Sequence, residues 1–200
     1  FFKTTTTTTN NKTTHGCLLI NNVFTGDTTI AQQVDEILNA AIRNKSVVRN
    51  IIMVSSLAAS IPDSIVGQWF SQIETRIEQK AANHFEHVFL LRINALYQSF
   101  EQMFGTSIEM NGCFSAPLGT TKHSNVAYID ARDVATFIVN LFKHISVHGS
   151  NSAIQTLPQS IIEKSNDTFT ILQISGDQAM SHQEIANHIG DSVTFQHMDG

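Results

Sequence analysis

Apolar residues along this chain fall into two alternating patterns. Short continuous runs bounded by turn residues read as buried strands, and longer stretches with a three-to-four-residue period read as helices. Cys17 to Asn21 is the first strand. Thr28 to Arg43 follows as a helix, with Ile30, Val34, Ile37, Leu38, Ala41 and Ile42 on one face. Asn50 to Ser55 is a second strand, continuous and β-branched. Ile65, Trp69, Ile73, Ile77 and Ala81 recur every four residues and predict a helix from about Ser64 to Asn83. His87 to Leu91 is a third strand and Val126 to Ile129 a fourth, with a helix over Val134 to Ile145 behind it. Phe169 to Ile174 is a fifth strand. Ser181-His182-Gln183-Glu184 fits a capping box that opens a helix through Ile189, and Val193 to Gln196 closes the pattern as a strand.

Strands of four to six residues separated by helices imply βαβ crossovers and a largely parallel sheet. The fold class expected is α/β, a doubly wound sheet. Sheets of this kind bind ligands beyond the carboxyl ends of their strands. That rule singles out Asn21, Asn22 and Val23 after the first strand, Ser55 and Ser56 after the second, and Asn94, Leu96 and Tyr97 after the third. Small polar residues at these places can bond a ribose or an amide, or can simply turn the chain.

Two stretches break the alternation. Thr4 to Thr9 is a homopolymer followed by Asn10-Asn11-Lys12-Thr13-Thr14, so residues 1–15 are expected to be a low-complexity segment. A second polar stretch, His148 to Asp167, reads as a loop-like surface insertion with one helical turn near Ser160-Ile161-Ile162-Glu163.

Composition narrows the classes. The chain has 200 residues, 42% of them hydrophobic, enough for one domain or most of one. Twelve Lys and Arg against 17 Asp and Glu give a net charge of −5 and no basic stripe, which disfavours direct nucleic-acid binding. Cys17 and Cys113 stand far apart without metal-ligand spacing, so a reducing compartment, cytoplasmic with the nucleus as a second location, is expected. No apolar run suggests a membrane span. His84 with His87, and His144 with His148, lack the carboxylate or cysteine neighbours of a metal site. No G-x-S-x-G segment is present.

Several segments together resemble the NmrA-like family, an atypical branch of the short-chain dehydrogenase/reductase superfamily. Val54-Ser55-Ser56-Leu57-Ala58 is similar to its strand-end serine segment, and Trp69 with Glu74 to its W-x-x-x-x-E pattern. Phe89-Leu90-Leu91-Arg92 resembles the strand that usually continues as Arg-Pro. Ile129-Asp130-Ala131-Arg132-Asp133-Val134-Ala135 resembles its helix-opening Asp-x-x-Asp segment. Ile174-Ser175-Gly176-Asp177 with Ser181 to Ala186 is similar to a segment of its substrate subdomain. These run in family order from about Gly16 to His197.

The resemblance implies that the sheet is of the Rossmann type and binds NADP(H) or NAD(H). It implies that residues 16–200 are a partial domain, with 16–100 the later half of the nucleotide-binding sheet and 101–200 mainly a substrate or partner subdomain. Asp130 and Asp133 straddle a helix start and are expected to cap it. Arg92 is expected to form a structural ion pair with one of these acids. Trp69 is expected in the core, and Glu74 is expected to bond a neighbouring loop.

The departures shape the functional expectation. The superfamily's reductases carry Tyr-x-x-x-Lys on the helix after the serine strand, where tyrosine donates a proton and lysine lowers its pKa. Alignment on Glu74 puts Val66 and Phe70 there, and neither can do acid–base work. The proline after arginine is Ile93, and the family's aromatic residue is Leu96. Tyr97 could place a ring against a nicotinamide or join the core. No G-x-x-G-x-x-G phosphate loop occurs; Gly16 and Gly26 have the wrong spacing. The chain opens on Phe1 and stops at Gly200 without a cap, so both ends are expected to be cuts and the first βαβ units to lie upstream. Three roles stay open: a redox-sensing regulator that passes cofactor state to a protein partner, an NAD(P)H-dependent reductase of a quinone-like or other small acceptor, and an inactive fragment of such a protein.

Overall fold

The computed structural model describes residues 16–21, 29–61, 63–81, 83–116 and 125–197. In chain order the elements are β1 (Gly16–Asn21), α1 (Thr29–Arg43), β2 (Val48–Ser56), a 3-10 turn (Leu57–Ser60), α2 (Ile65–Ala81) and β3 (His87–Ile93). Then come α3 (Tyr97–Asn111), β4 (Cys113–Ala116), β5 (Asn125–Val126), α4 (Ala131–His148) and α5 (Ser150–Thr156). The last are β6 (Ile162–Ser165), β7 (Phe169–Ile174), β8 (Met180–Ser181), α6 (His182–Ile189) and β9 (Thr194–His197). They form two compact units, one of Phe1–Ile93 with Ala135–Ile174 and one of Asn94–Val134 with Ser175–Gly200. This interleaved division differs from a single boundary near residue 100, because the chain returns to the first unit through the body of α4.

The first unit is built on a five-stranded sheet in the order β1-β2-β3-β7-β6. The first four strands are parallel, and β6 runs antiparallel to β7. Both faces are covered, which is why β2 and β3 read as unbroken apolar runs and not as alternating ones. One face packs Ile51, Met53, Val88 and Leu90 against Val34 and Leu38 of α1 and Ile73 and Ile77 of α2. The other packs Ile52, Phe89, Leu91 and Leu172 against Leu141 and Ile145 of α4 and Ala153 of α5. Helices on both faces of a mainly parallel sheet are the doubly wound arrangement expected.

Ser64 opens α2 by accepting the Gly67 N–H on its hydroxyl. Gly67 is required for a different reason. A Cβ there would stand 2.3 Å from the carbonyl oxygens of both Ala58 and Ile61, so only glycine lets α2 lie this close to the preceding turn. The four-residue apolar period carries as expected through Ile73, Ile77 and Ala81, all buried, whereas Trp69 is only half-buried and Ile65 is exposed.

The stretch from His148 to Asp167 is not a loop-like insertion. It contains α5 and β6, and Ala153, Ile154, Leu157, Ile161 and Ile162 pack into the second core. Its Ser, Asn and Gln residues mask an apolar spacing that becomes visible only once the sheet supplies a surface to bury it.

In the second unit the strand expected at Val126 to Ile129 is reduced to the two-residue β5, antiparallel to β8, while Ile129 makes an isolated parallel bridge to Leu96. β9 pairs in parallel with β4. The core is aromatic. Phe100 lies edge-on to Phe114 and to Tyr128, and Phe195 stacks on His182 at 5.2 Å. The capping box at the start of α6 forms as expected: Ser181 accepts the Glu184 N–H, and Glu184 accepts the Ser181 N–H.

Candidate functional site: the carboxyl edge of the parallel sheet

Parallel register brings the strand ends of the first unit into rows. Asn21 lies opposite Val54 on β2, Ser55 opposite Arg92 on β3, and Arg92 opposite Gln173 on β7. Alternation puts Ser55 and Arg92 on the side covered by α2, in line with Met53 and Leu90. One helix turn of α2 then delivers Glu74 into the same row.

These residues are tied to one another. Glu74 Oε1 accepts from the Ser55 hydroxyl at 2.5 Å and from Arg92 Nε at 3.1 Å. Glu74 Oε2 accepts from Arg92 Nη2 at 2.7 Å. Arg92 Nη1 donates to the Ser60 hydroxyl at 2.8 Å and to Glu163 Oε1 at 2.6 Å. Glu163 Oε2 accepts from Gln173 Nε2 at 3.0 Å. Ser55, Glu74 and Arg92 are all buried. The hydrogen-bonded Glu74 carboxylate raises the Arg92 pKa against the opposing effect of burial, and Glu163 adds to the rise.

Arg92 therefore does form a structural ion pair, but with Glu74 and Glu163. Asp130, in the second unit, pairs instead with Arg132 and caps α4 by accepting its backbone N–H at 2.7 Å. Those contacts hold the Asp130 carboxyl well below the ordinary range, the Arg132 side chain being the largest cause. Asp133 sits in the first turn of the same helix. Glu74, expected to bond a neighbouring loop, is held instead by Ser55 at the end of β2 and Arg92 on β3. Its signal was there: an acid within the half-turn that buries Ile73 and Ile77 needs a cation, and Arg92 is the cation at a neighbouring strand end.

The remaining candidates divide. Asn21 ends β1 and is exposed. Ser56 caps the 3-10 turn by accepting the Ala58 N–H. Asn22 and Val23 lie outside the described residues. Asn94, Leu96 and Tyr97 belong to the second unit. There Asn94 accepts the Ala95 N–H on its side chain, and Leu96 bridges to Ile129. Tyr97 is 52% exposed, its ring 5.6 Å from that of Tyr128, so it is not a core residue. Val66 is exposed and Phe70 half-buried on α2.

No protein-family model matches the chain, and no curated protein sequence matches it. Solved structures do. An NADPH-dependent quinone oxidoreductase from Escherichia coli, complexed with NADPH, superposes with a TM-score of 0.63 at 17% identity, over 92% of this chain and 55% of that one. Triphenylmethane reductase from Citrobacter sp., complexed with NADP(H), gives 0.64 at 14% identity, over 92% and 56%. UDP-glucuronic acid 4-epimerase from Bacillus cereus, in complex with UDP-glucuronic acid and NAD, gives 0.59 at 15% identity, over 85% and 54%. The fold is Rossmann-type. The chain spans little more than half the length of these proteins.

No helix among the described residues is long and apolar enough to cross a membrane, and no cluster of His, Cys, Asp or Glu among them could hold a metal ion.

Proposed function

We propose that this chain is part of an NmrA-like protein that binds NADP(H) or NAD(H) and acts as a redox-sensing regulator, without the Tyr-Lys chemistry of ordinary dehydrogenases. The observation that supports this most is the state of the strand-end serine. The Ser55 hydroxyl donates to a buried carboxylate that also grips Arg92, so it is committed to holding the sheet edge together. Aligned on Glu74, as the resemblance implies, Val66 and Phe70 take the places of the proton-donating tyrosine and its lysine, and neither can do acid–base work. The dinucleotide fits the reading because three structures of the same fold were solved with NADPH, NADP(H) or NAD. Asn21, Asn22, Val23, Ser56 and the backbone of Ser55 are the proposed contacts at the carboxyl edge. Asn94, Leu96 and Tyr97 remain candidates by their place after β3 in the sequence. The bound dinucleotide would supply hydride chemistry; these residues would hold and orient it.

A second reading, an NAD(P)H-dependent reductase of a quinone-like acceptor, is favoured by the names of the matching oxidoreductases. Calorimetric titration of NADPH and NADH into this chain, and into a chain extended upstream, tests the shared premise. Saturable binding by either supports it, and binding by neither removes the cofactor from the account. Steady NADPH oxidation on adding a quinone would select the reductase. Cofactor-dependent capture of a protein partner without turnover would select the regulator.

A further inference from the structure

The amino ends of the parallel strands hold a second polar row, on the opposite face from Glu74. Cys17, Asn50 and His87 are register neighbours on β1, β2 and β3. Alternation puts Asn50 on the side of Ile52, and His87 on the side of Phe89 and Leu91, all facing the core under α4 and α5. His87 is satisfied there: its Nε2 meets the Thr170 hydroxyl at 2.8 Å and its Nδ1 lies 3.2 Å from the Asp167 carbonyl oxygen. The Thr170 hydroxyl also meets that of Ser165.

Asn50 is different. It is completely buried, and neither its Oδ1 nor its Nδ2 meets a hydrogen-bond partner among the described residues. A primary amide brings two donors and two acceptor lone pairs, and burying it unpaired opposes folding. Ile52, the next residue of β2 on the same face, is aliphatic, so a leucine or valine would suit the position if it were dry. Protein interiors resolve such sites with ordered water, which bonds donors and acceptors alike. A cation would need anionic ligands, and no such cluster exists among the described residues.

We propose that Asn50 holds an internal water molecule in the layer between the sheet and α4, bonded through its side-chain amide. The polar residue is kept in an aliphatic strand to bind that water.

Two measurements on the 200-residue chain test this. A crystal structure at a resolution that shows solvent should place an ordered water within hydrogen-bond reach of Asn50 Oδ1 or Nδ2, absent in Asn50→Leu. An amide bonded to protein atoms alone, or with nothing beside it, overturns the proposal. In solution, the Asn50 side-chain NH2 should show a water cross-relaxation signal of the sign that marks long residence. The signal should persist in Thr170→Val, which removes an exchanging hydroxyl from the same row. Its absence in the unmodified chain, or its loss in Thr170→Val, overturns the proposal even if Asn50→Leu does not fold.

Discussion

Glu74 and Arg92 form a forked ion pair 18 residues apart in sequence, with Nε and Nη2 of the guanidinium on the two oxygens of one carboxylate. Side-chain exposure is 7% for Glu74 and 11% for Arg92, so water does little to screen the charges or to replace a lost partner. Breaking such a pair from one side leaves an uncompensated buried charge and costs about 3–5 kcal/mol. Arg92→Met should lose stability on that scale in urea unfolding. Glu74→Leu should lose less, because Arg92 keeps Glu163 as a partner. The double variant should be markedly less destabilised than the sum of the two, since it removes both charges. Strict additivity would show that the pair is not coupled.

His87 makes stability depend on mild acid. Burial lowers its pKa from 6.5 to about 4, with the Asp167 carbonyl opposing the shift. Between these values the unfolded chain takes up a proton that the folded chain refuses. The contribution is therefore present in full above pH 6.5 and is lost as pH falls toward 4, by at most about 3 kcal/mol. Unfolding midpoints of the parent chain and of His87→Gln, compared at pH 7 and pH 4.5, should show the parent losing ground to the variant in acid. A pH-independent difference would refute the assignment.

Two glycine substitutions should act with opposite signs. Gly67→Ala forces a Cβ into the Ala58 and Ile61 carbonyls and should destabilise by about 1–3 kcal/mol, loosening the helix that carries Glu74. At Gly105, inside α3, the nearest atom to an added Cβ is the flexible Glu101 side chain at 3.8 Å. Gly105→Ala should stabilise by roughly 0.5–1 kcal/mol through helix propensity. Thermal melts of both variants decide the matter, and equal signs would contradict the packing described.

The elements best anticipated are those whose pattern is local. β2, β3 and β7 are continuous apolar runs, and the period of α1, α2 and α4 is set by burial against one surface. The Ser181 capping box is complete within four residues. What escaped was α3, whose residues include none that is buried and so show only a weak apolar period. The α5 and β6 stretch escaped too, because its apolar residues are spaced among Ser, Asn and Gln.

By itself the sequence determined a doubly wound α/β sheet and the strand ends where polar residues collect, because these follow from apolar periodicity. Only the tertiary structure decided which polar residues answer one another. Ser55, Glu74, Arg92 and Glu163 are 19, 18 and 71 residues apart, and nothing local predicts which carboxylate a buried arginine will meet. Parallel register and the approach of α2 permitted by Gly67 make that choice.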